Sequence, residues 1–204
     1  MLRGHPRTGV PGGDLHRVRV ALPWSAACTV RRAELAPGAI IHDVPRASGS
    51  LLVLGDSISQ GMTSSGMMGS YAWRLAQLQG LTLFDAAVGG HRFDVNSLCN
   101  DIPIRGDIVT VAYGTNDWSS GAAHDEILAE AEAYLTALRT IQPHDPIVLI
   151  SPIWRVIDEP ERFADFCQLG AKLLDLARRM DGVHAVDGLQ LMACSWWRIV
   201  STAS

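Results

Sequence analysis

Short apolar runs that stop at glycine or proline alternate with longer segments of helical spacing, and this alternation most narrows what the chain can fold into. Residues 51–54, 81–88, 107–113, 147–150 and 183–186 read as strands. Between them, 71–79 carries Trp73, Leu75 and Leu78 at helical spacing, 125–141 carries Ile127, Leu128, Tyr134, Leu135 and Leu138 on one face, and 161–180 reads as a second long helix. Strand, helix, strand, helix in this order predicts an α/β fold: a three-layer α/β/α, flavodoxin-like sheet of parallel strands, with helices on both faces and right-handed crossovers. In such a sheet, ligands bind at the carboxyl ends of the strands.

The first 48 residues follow another pattern. Residues 1–16 are rich in Gly, Pro and Arg without periodicity and read as a disordered lead-in, whereas 17–48 reads as a small β-rich preface with short strands at 18–22, 28–35 and 39–44. The remainder, 49–204, forms the main domain. With 48% hydrophobic and 19% charged residues the 204-residue chain can bury one core, and no stretch reaches the roughly 18 continuous apolar residues of a membrane helix. A net charge of −4 with scattered arginines offers no basic patch, so neither nucleic acid nor membrane is expected as a partner. The N-terminus has no apolar segment of the signal-peptide kind, which makes the cytoplasm the default compartment. Cys28, Cys99, Cys167 and Cys194 lie far apart without a CxxC pair, so no metal site and no cofactor are expected. Oligomeric state is not legible.

Chemistry concentrates at three places. Gly55-Asp56-Ser57-Ile58-Ser59-Gln60-Gly61, then Gly89-Gly90, then Gly114-Thr115-Asn116-Asp117 each follow a predicted strand, so a parallel sheet would bring them to one rim. A serine hydroxyl needs a neighbouring base to become a nucleophile, and acyl transfer puts negative charge on the former carbonyl oxygen, where donors must wait for it. Ser57 could supply the hydroxyl. Its own N–H, the N–H of Gly90 and the side-chain amide of Asn116 could supply the donors. Asp56 is expected to orient the loop, not to react. Asp117 and Trp118 could line the pocket, with simple packing the alternative for Trp118; His91 and Arg92 either touch substrate or sit on a solvated loop.

These three blocks resemble those of the SGNH, or GDSL-like, hydrolases. GDSISQG is similar to the block that carries the nucleophile, DAAVGG (85–90) to the block whose glycine N–H lines the oxyanion hole, and GTND to the block that carries the oxyanion asparagine. Asp85 stands where many relatives have asparagine. The resemblance covers about 51–192 and implies Ser57, Gly90 and Asn116 as catalytic residues of a serine esterase acting on small acyl esters, with acetylated carbohydrate one candidate. It also implies an Asp-x-x-His block near the C-terminus, and here the pattern departs. Asp181-Gly182-Val183-His184 has the spacing but looks like the start of the last strand, and after Met192 the run ACSWWRIVSTAS has no likeness to the expected closing segment, as a frameshift or truncation would leave it. His91, His124 and His144 are the other histidines weighed as bases. Two readings therefore stand: an esterase, or an impaired member of the fold that binds ligand at most. A nucleotide-binding reading of the 55–61 loop lacks a Walker lysine and a GxGxxG run.

Overall fold

The computed structural model describes residues 29–35, 37–40, 42, 47–62, 64, 66–98 and 106–191. The expected lead-in at 1–16, the strand at 18–22 and the segment 192–204 lie outside the described residues. Of the expected preface, residues 29–35 are exposed and form no strand, and Arg32 pairs with Glu34. A strand exists only by pairing, and among the described residues nothing pairs with this stretch.

Five parallel strands form one sheet: β1 (Ser50–Gly55), β2 (Thr82–Asp85), β3 (Ile108–Ala112), β4 (Ile147–Ile150) and β5 (Val183–Val186), in the order β2-β1-β3-β4-β5. That is the flavodoxin-like strand order, and it bears out the expected three-layer α/β fold. Strand β1 is buried from Leu51 to Gly55 because its side chains alternate between two covered faces. Leu52 and Leu54 join Val109, Val111, Ile147 and Leu149 against helices α4 (His124–Ile141) and α5 (Pro160–Arg179). Leu51 and Val53 face α2 (Tyr71–Gln79) through Ala72 and Ala76.

The long helices are marked at both ends. Helix α4 carries Asp125 and Glu126 in its first turn and Arg139 in its last, and α5 starts on Pro160 and ends on Arg178 and Arg179, charges that complement the helix dipole. The inner face of α2 differs from expectation. Its buried residues are the small Ala72 and Ala76, while Leu78 is 81% exposed and Trp73 only half-buried. Tyr71 and Leu75 pack against the same cluster while partly exposed, so the fully buried line of this helix is alanine. Strand β2 is also shorter than the apolar run 81–88, yet Ala86 N–H and Val88 N–H still donate to Val53 O and Gly55 O, so the chain follows β1 to the rim without closing a regular ladder.

Burying a leucine side chain contributes roughly 1.5–3 kcal/mol, and truncation adds the cavity left behind. Leu149→Ala, at a fully buried position in the central core, is expected to lower unfolding free energy by about 2–5 kcal/mol in urea titrations. Leu78→Ala should stay within about 0.5 kcal/mol of the parent.

Candidate active site

The strand order fixes where a site can form. The chain runs from β1 outward to β2 and then returns across β1 to β3, so the carboxyl ends of β1 and β3 are the point where connections diverge and a crevice opens. Gly55 of β1 is in register with Ala112 of β3. Ser57 and Gly114 follow two residues later, past the ends of neighbouring strands that run about 4.8 Å apart.

Ser57 opens the one-turn helix α1 (Ser57–Gln60). Asp56 caps it, its Oδ1 accepting the Ile58 N–H at 2.9 Å, and Gly61 closes it with φ of 84°, a left-handed conformation that favours glycine. The backbone is pressed against its own helix here: a Cβ on Gly55 would collide with Ser59, whose buried hydroxyl lies 3.0 Å from Tyr71 OH.

Asn116 lies on a second short helix, α3 (Thr115–Ser119), behind Gly114 at φ of 108°. Its Nδ2 donates to Asp56 Oδ2 at 3.1 Å and to the His91 carbonyl at 3.0 Å. Two acceptors facing one amide end fix the orientation of the amide, since the flipped form would set oxygen against oxygen. Asp117, 5% exposed, makes the second tie: Oδ1 accepts the Phe93 N–H at 3.0 Å and Oδ2 the Gly114 N–H at 2.9 Å. The 89–93 loop is thus pinned to α3 from both sides. Gly90 has φ of 78° with open space where a Cβ would stand, whereas a Cβ on Gly89 would press on Gln60 Oε1 and Met62 Sδ at 3.2 Å and touch Ser57 Cβ at 3.7 Å. Gly90 therefore needs its glycine for backbone conformation, and Gly89 is the residue packed beside the serine.

The structure thus brings Ser57, Gly89, Gly90 and Asn116 to one rim, with Asp56 and Asp117 as the connecting carboxylates. Burial pushes the Asp56 carboxyl up from its ordinary value and nearby Asp117 adds to this, while the Ile58 N–H opposes it. Asp117 is likewise pushed up by burial, against the pull of the Phe93 and Gly114 N–H groups. Beneath them, burial drives the Tyr113 phenol up to about 12. Sequence reasoning gave Asp56 an orienting role but not its bond to Asn116; no local pattern signals a contact across sixty residues.

The histidines are dispersed. Among the described residues none forms a hydrogen bond to the Ser57 hydroxyl. His91 turns its ring edge-on to Tyr113, 5.7 Å between centroids, and His124 Nε2 lies 3.2 Å from Asp165, which also accepts from Trp118 Nε1. His144 sits between α4 and β4, at the amino end of the sheet. His184 is exposed in β5, in register with Val148, Thr110 and Val53. That places it three strands from β1 and four residues upstream of Ser57, about 14 Å across the sheet and about 13 Å along it. Trp118 packs edge-on against Phe166, with Arg162 over its ring. Among the described residues no group of three or more His, Cys, Asp or Glu could hold a metal ion, and no helix is long and apolar enough to cross a membrane.

The sequence profile of the GDSL-like lipase/acylhydrolase family matches residues 53–200, spanning all three blocks. The chain belongs to that family. Its fold is similar to that of the salicylyl-acyltransferase SsfX3 from a tetracycline biosynthetic pathway, with a TM-score of 0.59 and 21% identity over 75% of this chain and 46% of the other. A family two carbohydrate esterase from Cellvibrio japonicus aligns with a TM-score of 0.52 and 16% identity, over 72% of this chain and 54% of its own. An acetyl xylan esterase from the rumen bacterium Butyrivibrio proteoclasticus gives 0.52 and 16%, over 72% and 57%. At these identities the likeness is one of fold, and the chain spans about half the length of each. No curated protein sequence matches it.

Asp117 accepts two backbone N–H groups that an asparagine's single carbonyl oxygen cannot both serve, and a buried donor left unpaired costs about 1–3 kcal/mol. Asp117→Asn should therefore destabilise the protein by about that amount in urea unfolding. Carboxyl-carbon NMR should show Asp56 and Asp117 titrating above 3.8 and Asp107, held down by Ser50, below it. Because the pKa of Asp56 and of Asp117 is raised on folding, each contributes stability that is full below the unfolded value and lost as pH rises through the folded one.

Proposed function

We propose that the protein is a serine esterase that hydrolyses small carboxylic esters through an acyl-Ser57 intermediate. The reading rests above all on the link from Asp56, beside Ser57, to the Asn116 amide, which in turn holds the His91 carbonyl next to Gly90. In this scheme Ser57 Oγ bonds to the ester carbonyl carbon and its proton passes to a base. The carbonyl oxygen, now negative, is met by the N–H groups of Ser57 and Gly90 and by Asn116, whose amide shares a hydrogen otherwise given to Asp56 or His91. Collapse expels the alcohol with a proton, and water then releases the carboxylic acid and restores the hydroxyl. Family membership supports ester chemistry, and the carbohydrate-esterase neighbours make an acetylated sugar a reasonable first substrate to assay.

A second reading follows from the same site. No histidine among the described residues hydrogen-bonds Ser57, and a general base must first be within reach before its pKa matters. On that reading the protein is an impaired member of the family that binds ligand and turns it over poorly. Donors and binding without the base can still leave on the order of a thousandfold advantage over water.

Hydrolysis of p-nitrophenyl acetate separates the two. Turnover of about 1–1000 per second, abolished in Ser57→Ala, means that a base reaches the serine. A far slower rate that still depends on Ser57 supports the impaired form, and a rate indifferent to Ser57 overturns both. Asn116→Ala is expected to lower kcat on the order of a hundredfold with little change in KM, because its amide acts on developing charge.

A further inference from the structure

The space on the two sides of the Ser57 rim is unlike. On the side of Gly90 a groove of ≈ 630 Å³ opens between the 90–96 loop, the end of α3 and the first two turns of α4. Its floor carries Phe93, Ala122 and Ile127, and its walls carry exposed polar groups: Arg92, Asn96, Glu126 and Glu130. On the side of Ile58 lies a smaller cavity of ≈ 240 Å³, lined largely by apolar groups from Ile58, Ala112, Ile150, Pro152 and Ile153.

An ester presents two ends to a nucleophile, and these two spaces discriminate between them. An alkyl chain laid in the groove would strip water from a guanidinium and two carboxylates without replacing its hydrogen bonds. A hydroxyl both donates and accepts, so it can satisfy either kind of group, while the carbon face of a ring covers the apolar floor. Asp117 also borders the groove, but both its oxygens are already taken by backbone N–H groups. Among the described residues the charge balance of the walls is negative. Glu126 and Glu130 lie one turn apart on the exposed face of α4, neither has an ion-pair partner among the described residues, and among the described lining residues Asp94 adds a third carboxylate against one guanidinium, that of Arg92. Like charges at this spacing repel, so an acidic ligand would meet a wall already short of positive charge.

The geometry points to this groove as the subsite for a hydroxylated, uncharged or amine-bearing alcohol portion of the substrate, with Glu126 and Glu130 as the residues that reject an anionic one. The assignment rests on the reading of Ser57 as nucleophile, and the apolar cavity is left to a short acyl group.

Glucose, glucosamine and glucuronate share one ring and differ in charge, and they probe the groove without requiring turnover. Backbone amide shifts of the full chain, followed by NMR at low salt, should move at Gly90, Phe93 and Glu126. Glucosamine should bind about three- to tenfold more tightly than glucuronate, the range two exposed ion pairs supply. In the Glu126→Gln/Glu130→Gln double variant that ratio should fall toward one. Asn96→Trp, which fills the groove from an exposed position, should weaken all three sugars. Shifts confined to other surfaces, no saturable binding of glucose or glucosamine, equal affinity for glucuronate, or a ratio unchanged in the double variant would each overturn the assignment. Ser57-dependent hydrolysis of p-nitrophenyl acetate is measured beside it. Hydrolysis without sugar binding sinks the groove alone, whereas sugar binding without hydrolysis sinks the esterase reading and leaves a sugar-binding groove.

Discussion

Asn116 gives both amide hydrogens to acceptors from distant parts of the chain, one to the Asp56 carboxylate and one to the His91 carbonyl. Through that side chain the turn after β1, the loop after β2 and the helix after β3 become one rigid rim. Asp117 repeats the device from the next position, holding Phe93 and Gly114 through a carboxylate that is nearly solvent-free. Hydrogen bonds to a charged acceptor are roughly twice as strong as neutral ones, and burial raises the penalty for losing them. The rim is therefore specified by a few polar side chains, on top of a sheet specified by apolar ones.

The division of labour explains what could be read from the sequence. The strands at 147–150 and 183–186 and the helix at 71–79 have the same bounds in the structure as in the hydrophobic pattern, because burial on a sheet face or a helix face is written in side-chain period. The helices that carry Ser57 and Asn116 are four and five residues long, too short for any period to announce them. They were legible only as motifs whose residues need special backbone: glycines at 61, 90 and 114 all have positive φ. The inner face of α2 misled for a related reason, since large apolar residues attract attention and close helix packing selects alanine. At 29–35 no strand forms among the described residues, because strand character is a property of residues while a strand is a property of a pair.

The position of the histidines was legible in part. Parallel topology alone put His184 early in a strand and Ser57 past the end of another, and the register between β1 and β5 gives that separation a length. His124 was legible as a candidate base, whereas its neighbour Asp165 on α5 comes from packing that no local pattern encodes. The rim consequently has well-tied hydrogen-bonding groups and, among the described residues, no imidazole bonded to the Ser57 hydroxyl.

The proposed chemistry requires Ser57, Gly90 and Asn116 to act on one oxygen atom. A crystal structure of the protein after reaction with an aryl organophosphate tests it most directly, because the phosphoryl oxygen stands where the tetrahedral oxyanion would. The expected result is phosphorus bonded to Ser57 Oγ and that oxygen about 2.7–3.1 Å from both the Gly90 nitrogen and Asn116 Nδ2. Phosphorus on another residue, or on Ser57 with its oxygen turned away from Gly90 and Asn116, would contradict it.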